Sequence, residues 1–323
     1  MGYLDVFSIV VVLTLFLGSC LAYDFASTVF VDKSGKGQFT TIQVAINSVP
    51  LGNNKWFHIV VTPGIYYEKV SIPAEKEYIF LDGGDSSQTT VSWDDSNGGA
   101  SSTFSSSANN FVAKGITFVN SYNVKQRTNI TQALAIIIYG DKNAFYNCGF
   151  IGYQDTLCDF MGRHYYKSCY IEGVTDFIWG LGQSVFEDCR INVSAEPGSL
   201  GYITAQGQSS EHDSNGFVFS KSNVYGTGQA FLGRAYGTFS RVVFMESTFS
   251  SVVYPAGWDP WVHQGEENKL TFVEAGCQGS GANISHRVPW AKIESVNNTL
   301  ELKNFSTDNF IDKDGWITDT RFE

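Results

Sequence analysis

The sequence predicts an all-β protein wound as a parallel β-helix, with one short helix closing its amino-terminal end. Three observations carry this. First, the 323-residue chain holds 25 Phe, 16 Tyr and 32 Gly but only 7 Pro, and 16% of it is charged, a balance that suits a large β core and argues against disorder. Second, a unit of aromatic or β-branched residues, one small residue and a further apolar pair recurs: NFVAKGITFVN, AFYNCGFIG, HYYKSCYIEG, SVFEDCRINV, GFVFSKSNVYG and RVVFMESTFSS. Its small place falls at Gly115, Cys148, Cys169, Cys189, Ser222 and Ser247, at spacings of 33, 21, 20, 33 and 25 residues. Such a period, written in strands, signals a solenoid whose longer coils carry inserted loops. Third, two-residue hairpin signals are sparse, which disfavours a sandwich.

The elements follow in order. An apolar run from Val6 to Leu17, then small residues up to Ala22, reads as a secretory signal over residues 1–22. The run is shorter than the about 20 residues that a membrane span needs, and no later segment qualifies. Five sequons, at Asn129, Asn192, Asn283, Asn297 and Asn304, agree with secretion. A glycan on Asn129, only three residues before Gln132, would crowd that residue, so this sequon is expected to stay unused. Ile42, Ala45, Ile46 and Val49 in FTTIQVAINSVP have helical spacing, with Pro50 as the stop. The coils follow, and the tail from about Val296 reads as loops with a short packing segment. No linker divides the chain, so residues 23–323 form one expected domain. Cys148, Cys169 and Cys189 share a repeat position and should stack as small buried residues, with at most one disulfide among them; Cys158 and Cys277 fall outside the ladder.

Coil length converts sequence distance into spatial distance. Asp155 in GYQDTLCDFMG and Asp176 in VTDFIWG are 21 residues apart, one coil, and Gln132 and Gln154 are 22 apart. Two carboxylates and two amides should therefore gather on one patch. Neighbouring acids do not both ionise easily, so one keeps a proton while the other keeps its charge. Arg234 in FLGRAYG can hold the charged one with paired hydrogen bonds. Ester hydrolysis wants this set: a carboxylate to attack, amides for the oxyanion and an acid for the departing alkoxide. A retaining glycosidase also uses two carboxylates about 5 Å apart but needs no amide pair. The net charge of −11 disfavours nucleic acid. The five histidines show no metal spacing, and no metal or cofactor is expected. Trp258 and Trp261 in AGWDPW suit either a sugar platform or a packed loop, and the tyrosines of GIYYE suit strand packing.

At these residues the sequence resembles the plant pectin methylesterase family, in the form without an amino-terminal inhibitor-like region. The motifs FVDKSGKGQFTTIQVAI, GIYYE, QALAI, GYQDTL, DFIWG, LGR and HRVPW span nearly all of the mature chain. The resemblance implies a right-handed, single-stranded parallel β-helix that de-esterifies methylated homogalacturonan in the cell wall. It implies Asp176 as nucleophile, Asp155 as general acid and base, Gln132 and Gln154 as oxyanion donors, and Arg234 as the residue orienting Asp176. Tyr236, Trp258 and Phe177 are expected to bind substrate, Trp258 resembling a cleft tryptophan of the family. A proteinaceous inhibitor is a further expected partner; no membrane partner is, and the chain is expected to be a monomer. Three departures stand out: Ala235 and Tyr236 where the family has Pro and Trp after LGR, Cys158 where it has Tyr, and Trp179 where it has Phe. A pectate lyase would share the architecture, but it would want an acid cluster for calcium that the sequence lacks.

Overall fold

The computed structural model describes residues 25–96, 101–125, 127–295, 302–320 and 322; the expected signal segment and the Asn297 sequon lie outside them. Short strands stack into three sheets of 11, 8 and 8 strands; eight successive coils give one strand to each sheet, and Ser27–Val31, Thr271–Ala275 and Lys292–Glu294 extend the first sheet at its two ends. Every strand pairing within them is parallel, as in Tyr165↔Val185 and Ile171↔Ile191, which makes the chain a parallel β-helix. The interior is filled by like residues stacking on like. Phe145, Tyr166, Phe186, Phe219 and Phe244 form a near-parallel column, with successive ring centroids 5.0, 4.5, 4.6 and 4.3 Å apart. These are the aromatic places of the sequence repeat, and their burial supplies much of the apolar area that holds the coils together.

The cysteine ladder exists, with two corrections. Gly149 pairs with Thr117, so Ile116, not Gly115, lies level with Cys148. Gly115 instead shares a left-handed turn with Asn147, Ser168, Asp188, Lys221 and Glu246, one residue earlier in each coil. Thr248 bridges to Gln278, which puts Cys277 on the ladder directly after Ser247 rather than outside it. Sequence spacing could not see this, because the intervening loop alters the coil length. All five described cysteines are free thiols.

The helix spans Ile42–Ser48 and buries Ile42, Ala45 and Ile46 against the first coil. Thr41 caps it, and the Glu68 carboxylate of GIYYE accepts from the amides of Ile42 and Gln43 at 2.9 and 3.0 Å, so this motif acid holds the helix start. Tyr66 is buried in the core and Tyr67 lies exposed beside Asp94. The tail packs Phe310, Ile311, Trp316, Ile317 and Phe322 over the outer face of the 11-stranded sheet, which explains why those strands are apolar on both sides. One 8-stranded sheet keeps its outer face uncovered by this tail. Its strands Leu134–Ile138, Leu157–Asp159, Thr175–Gly180, Leu200–Gln206, Gln229–Ala235 and Trp258–Asp259 carry the candidate site.

Candidate active site

Both acids stand where strand alternation would have buried them. Leu157 and Ile178 face the core, and Asp155 and Asp176 lie two residues before each, so alternation alone would aim both carboxyls inward. Two local features turn them. Asp155 has φ 61° and Asp176 φ 49°, left-handed conformations that cost a non-glycine residue about 1–2 kcal/mol. Asp176 also sits in a bulge: Thr175 faces Tyr202 but Ile178 faces Thr204, so Asp176 and Phe177 together oppose the single residue Ile203.

Register brings the acids together as the coil spacing predicts. Gln154 bridges to Thr175 and Leu157 pairs with Ile178, which sets Asp155 beside Asp176 on the next coil. Arg234 lies two coils beyond Asp176, paired with Ala205 of the intervening strand. Its Nε donates to Asp176 Oδ1 at 2.8 Å, and its Nη2 donates to Oδ2, forming a paired clamp. Burial pushes the Asp176 carboxyl above the usual carboxylate range, and the arginine's hydrogen bond and charge oppose that rise. Asp155 has no such cation clamped to it. Burial first, then the Asp176 charge, push it up to about 7, against a hydrogen bond from Gln132 and the more distant Arg234 charge. Gln132 lies exposed and Gln154 half-buried beside the pair; Ala133, not Gln132, is level with Gln154, its amide donating to the Gln154 carbonyl at 3.2 Å.

The arrangement can do nucleophilic acyl transfer. One carboxylate is aimed and charge-compensated, and a second, hydrogen-bonded by Gln132 and raised to about 7, exchanges its proton near neutral pH. Around it, Tyr236 is 52% exposed, its ring 6.4 Å from Trp179 and 5.8 Å from Trp261. Two expected substrate contacts are corrected. Trp258 is only 1% exposed, its Nε1 donating to the buried Glu274 at 2.9 Å and its ring stacked on Phe272. Phe177 is wholly buried, on the inward side of the bulge that turns Asp176 outward. Cys158 is also closed off, and burial raises its thiol.

Sequence reasoning missed Tyr202 and Asp259. The Arg234 guanidinium lies 4.5 Å from the Tyr202 ring centre and 4.4 Å from that of Trp261. Asp259 accepts from Tyr202 Oη at 3.1 Å and from the Trp261 amide at 2.8 Å. No spacing in the sequence marks them: Tyr202 lies one coil after Thr175, but that coil is 27 residues long and matches none of the ladder's steps.

Comparison with known proteins places the chain among esterases. A family model described as pectinesterase matches residues 28–314. Two Arabidopsis thaliana proteins, described as probable pectinesterase 29 and probable pectinesterase 55, are 51% and 48% identical to it. The first alignment covers 90% of this chain and 89% of that protein, and the second covers 90% of each. Among solved structures, the pectin methylesterase from carrot superposes with a TM-score of 0.85 at 29% identity, covering 91% of this chain and 96% of that one.

Proposed function

The chain belongs to the pectinesterase family and removes methyl esters from pectin, and we propose that Asp176 and Asp155 divide that chemistry between them. Asp176 attacks the carbonyl carbon of a methylated galacturonate. Gln132 and Gln154 donate their amide hydrogens to the oxyanion that forms. Asp155 gives its proton to the departing methoxide, methanol leaves, and the sugar carboxyl remains as an anhydride with Asp176. Water then enters; Asp155 takes its proton as the oxygen attacks, and collapse frees Asp176 and an acidic galacturonate. The enzyme returns to its starting protonation. The observation that carries this division is electrostatic: the arginine clamps Asp176 alone, while Asp155 is held near 7.

The same reading makes the enzyme a secreted, monomeric wall protein, with residues 1–22 as its signal, residues 23–323 as its catalytic domain and methyl-esterified homogalacturonan as its substrate. A proteinaceous inhibitor that covers the acids would regulate it. Asn283 and Asn304 are exposed and suit glycans, whereas Asn192 donates to Tyr170 and Glu172 and does not. Purified protein should release methanol from methylated pectin without forming unsaturated sugars. Unsaturated product, or no methanol from folded protein, would contradict the proposal.

A further inference from the structure

An arginine that must aim a carboxylate has to be held still itself, since a free guanidinium samples many rotamers. Among the described residues Arg234 hydrogen-bonds only to Asp176, so its position depends on packing. The Tyr202 and Trp261 rings supply that packing, at 4.5 and 4.4 Å from the guanidinium carbon. Each ring is fixed in turn. Tyr202 stacks on Phe231, with centroids 5.3 Å apart and planes 10° from parallel, and Phe231 packs on Tyr254. Trp261 has φ 50°, a left-handed conformation that a bulky side chain rarely takes. Its amide is tied to Asp259 Oδ1, while Asp259 Oδ2 takes the Tyr202 hydroxyl. One carboxylate thus anchors both rings. Asp259 is also Arg234's strand partner, so the anchor sits on the coil next to the arginine it serves.

We propose that Tyr202, Trp261 and Asp259 are positioning residues that hold Arg234 between two aromatic faces and so aim Asp176. This rests on Asp176 being the nucleophile that Arg234 orients. The strain at Trp261 then has a purpose: it presents an indole face at the one place where the guanidinium needs a second wall. Trp261 also lies against Tyr236 at the site's edge, so Tyr202, which lies below the arginine and is partly buried, isolates the positioning role better.

The test combines kinetics with a double-mutant cycle on methylated pectin. Tyr202→Leu should lower kcat by about tenfold, the rate equivalent of one desolvated cation–π contact, with KM little changed. Tyr202→Phe, which keeps the face and loses the anchor, should fall between it and the wild type. The charged and titratable groups around Asp176 are Asp155, Arg234, Tyr202 and Asp259, and loosening Arg234 weakens the one attraction that lowers Asp176. The acid limb of kcat/KM should therefore move to higher pH in Tyr202→Leu. In an Arg234→Ala background, Tyr202→Leu should cost nothing further, because both act through one contact. Thermal melting of each variant checks folding, and Asp259→Asn supplies a second route if Tyr202→Leu melts early. Additive losses in the double variant, or an unmoved acid limb, would overturn the positioning role while leaving the nucleophile reading intact. Full activity in Arg234→Ala would overturn that reading itself.

Discussion

Asp155 and Asp159 lie four residues apart on one stretch, both buried, and they do opposite work. Asp159 faces the interior. Its oxygens accept from Ser184 Oγ at 2.9 and 2.8 Å and from Tyr166 Oη at 2.8 Å, and His164 Nδ1 stands 3.0 Å away. Burial lowers the His164 imidazole, but the Asp159 charge and hydrogen bond outweigh this and hold it above its ordinary value. Ser184, Tyr166 and His164 enclose the Asp159 carboxylate within the fold, so it has nothing to offer a substrate. Asp155 is turned out by its left-handed φ, has Gln132 as its side-chain donor and faces a second carboxyl. Burial alone therefore does not make a catalytic acid. What differs is what each carboxyl meets: Asp159 is enclosed by polar side chains of the core, whereas Asp155 faces a second carboxyl that, with burial, pushes it up to about 7.

The largest effect should come from breaking the satisfied acid. Asp159→Ala leaves His164 buried without its partner and should lower stability by about 3–5 kcal/mol, measured by denaturant unfolding. The fraction that remains folded should keep near-normal kcat, because Asp159 touches no substrate; a large kcat loss in folded protein would erase the contrast. Next, Gln154→Ala should cost about 10²–10³ in kcat, the usual result of removing one oxyanion donor, with an unchanged melting temperature. A stability loss without a kcat loss would make Gln154 a structural residue like Asp159.

A smaller effect separates the two acids by pH. Asp155 is raised in the folded state to about 7 from an ordinary 3.8, so the folded protein binds the extra proton between these values. Stability should therefore fall as pH rises through that window, and the cost is fully present above about 7. His164, also raised, loses its contribution as pH rises and adds a slope of the same sign. Asp155→Asn should remove the Asp155 part, raising the melting temperature relative to wild type more at pH 8 than at pH 5. An equal shift at both pH values would mean that Asp155 is not protonated in the fold.

What was legible in the sequence was whatever the coil period fixes. The pairing of Asp155 with Asp176 followed from a spacing of 21 residues that the cysteine ladder also shows, and the structure has that register. Facing was not legible. Trp258 and Asp259 are neighbours in one two-residue strand, and only the structure shows that the tryptophan turns in to Glu274 while the aspartate turns out to Tyr202. Phe177 was misread for the same reason, since a bulge resets which side is out. Cys277 escaped the ladder because a long insertion hid its phase. Tyr202 sits in GYITAQG, which looks like any core strand, and its role follows from a cation two strands' worth of chain away.

The central claim is that Asp176 attacks and Asp155 delivers the proton. Loss of an acid catalyst typically costs roughly 10²–10⁴ in rate, and the loss shrinks when the leaving group needs no proton. Loss of the nucleophile is not repaired that way. The most direct measurement compares Asp155→Asn and Asp176→Asn on methylated pectin and on a galacturonate ester of an acidic alcohol such as nitrophenol. The account predicts that the activated ester restores the first acyl-transfer burst of Asp155→Asn and leaves Asp176→Asn inactive. Restoration of Asp176→Asn with Asp155→Asn still dead would show that the two roles are the other way round.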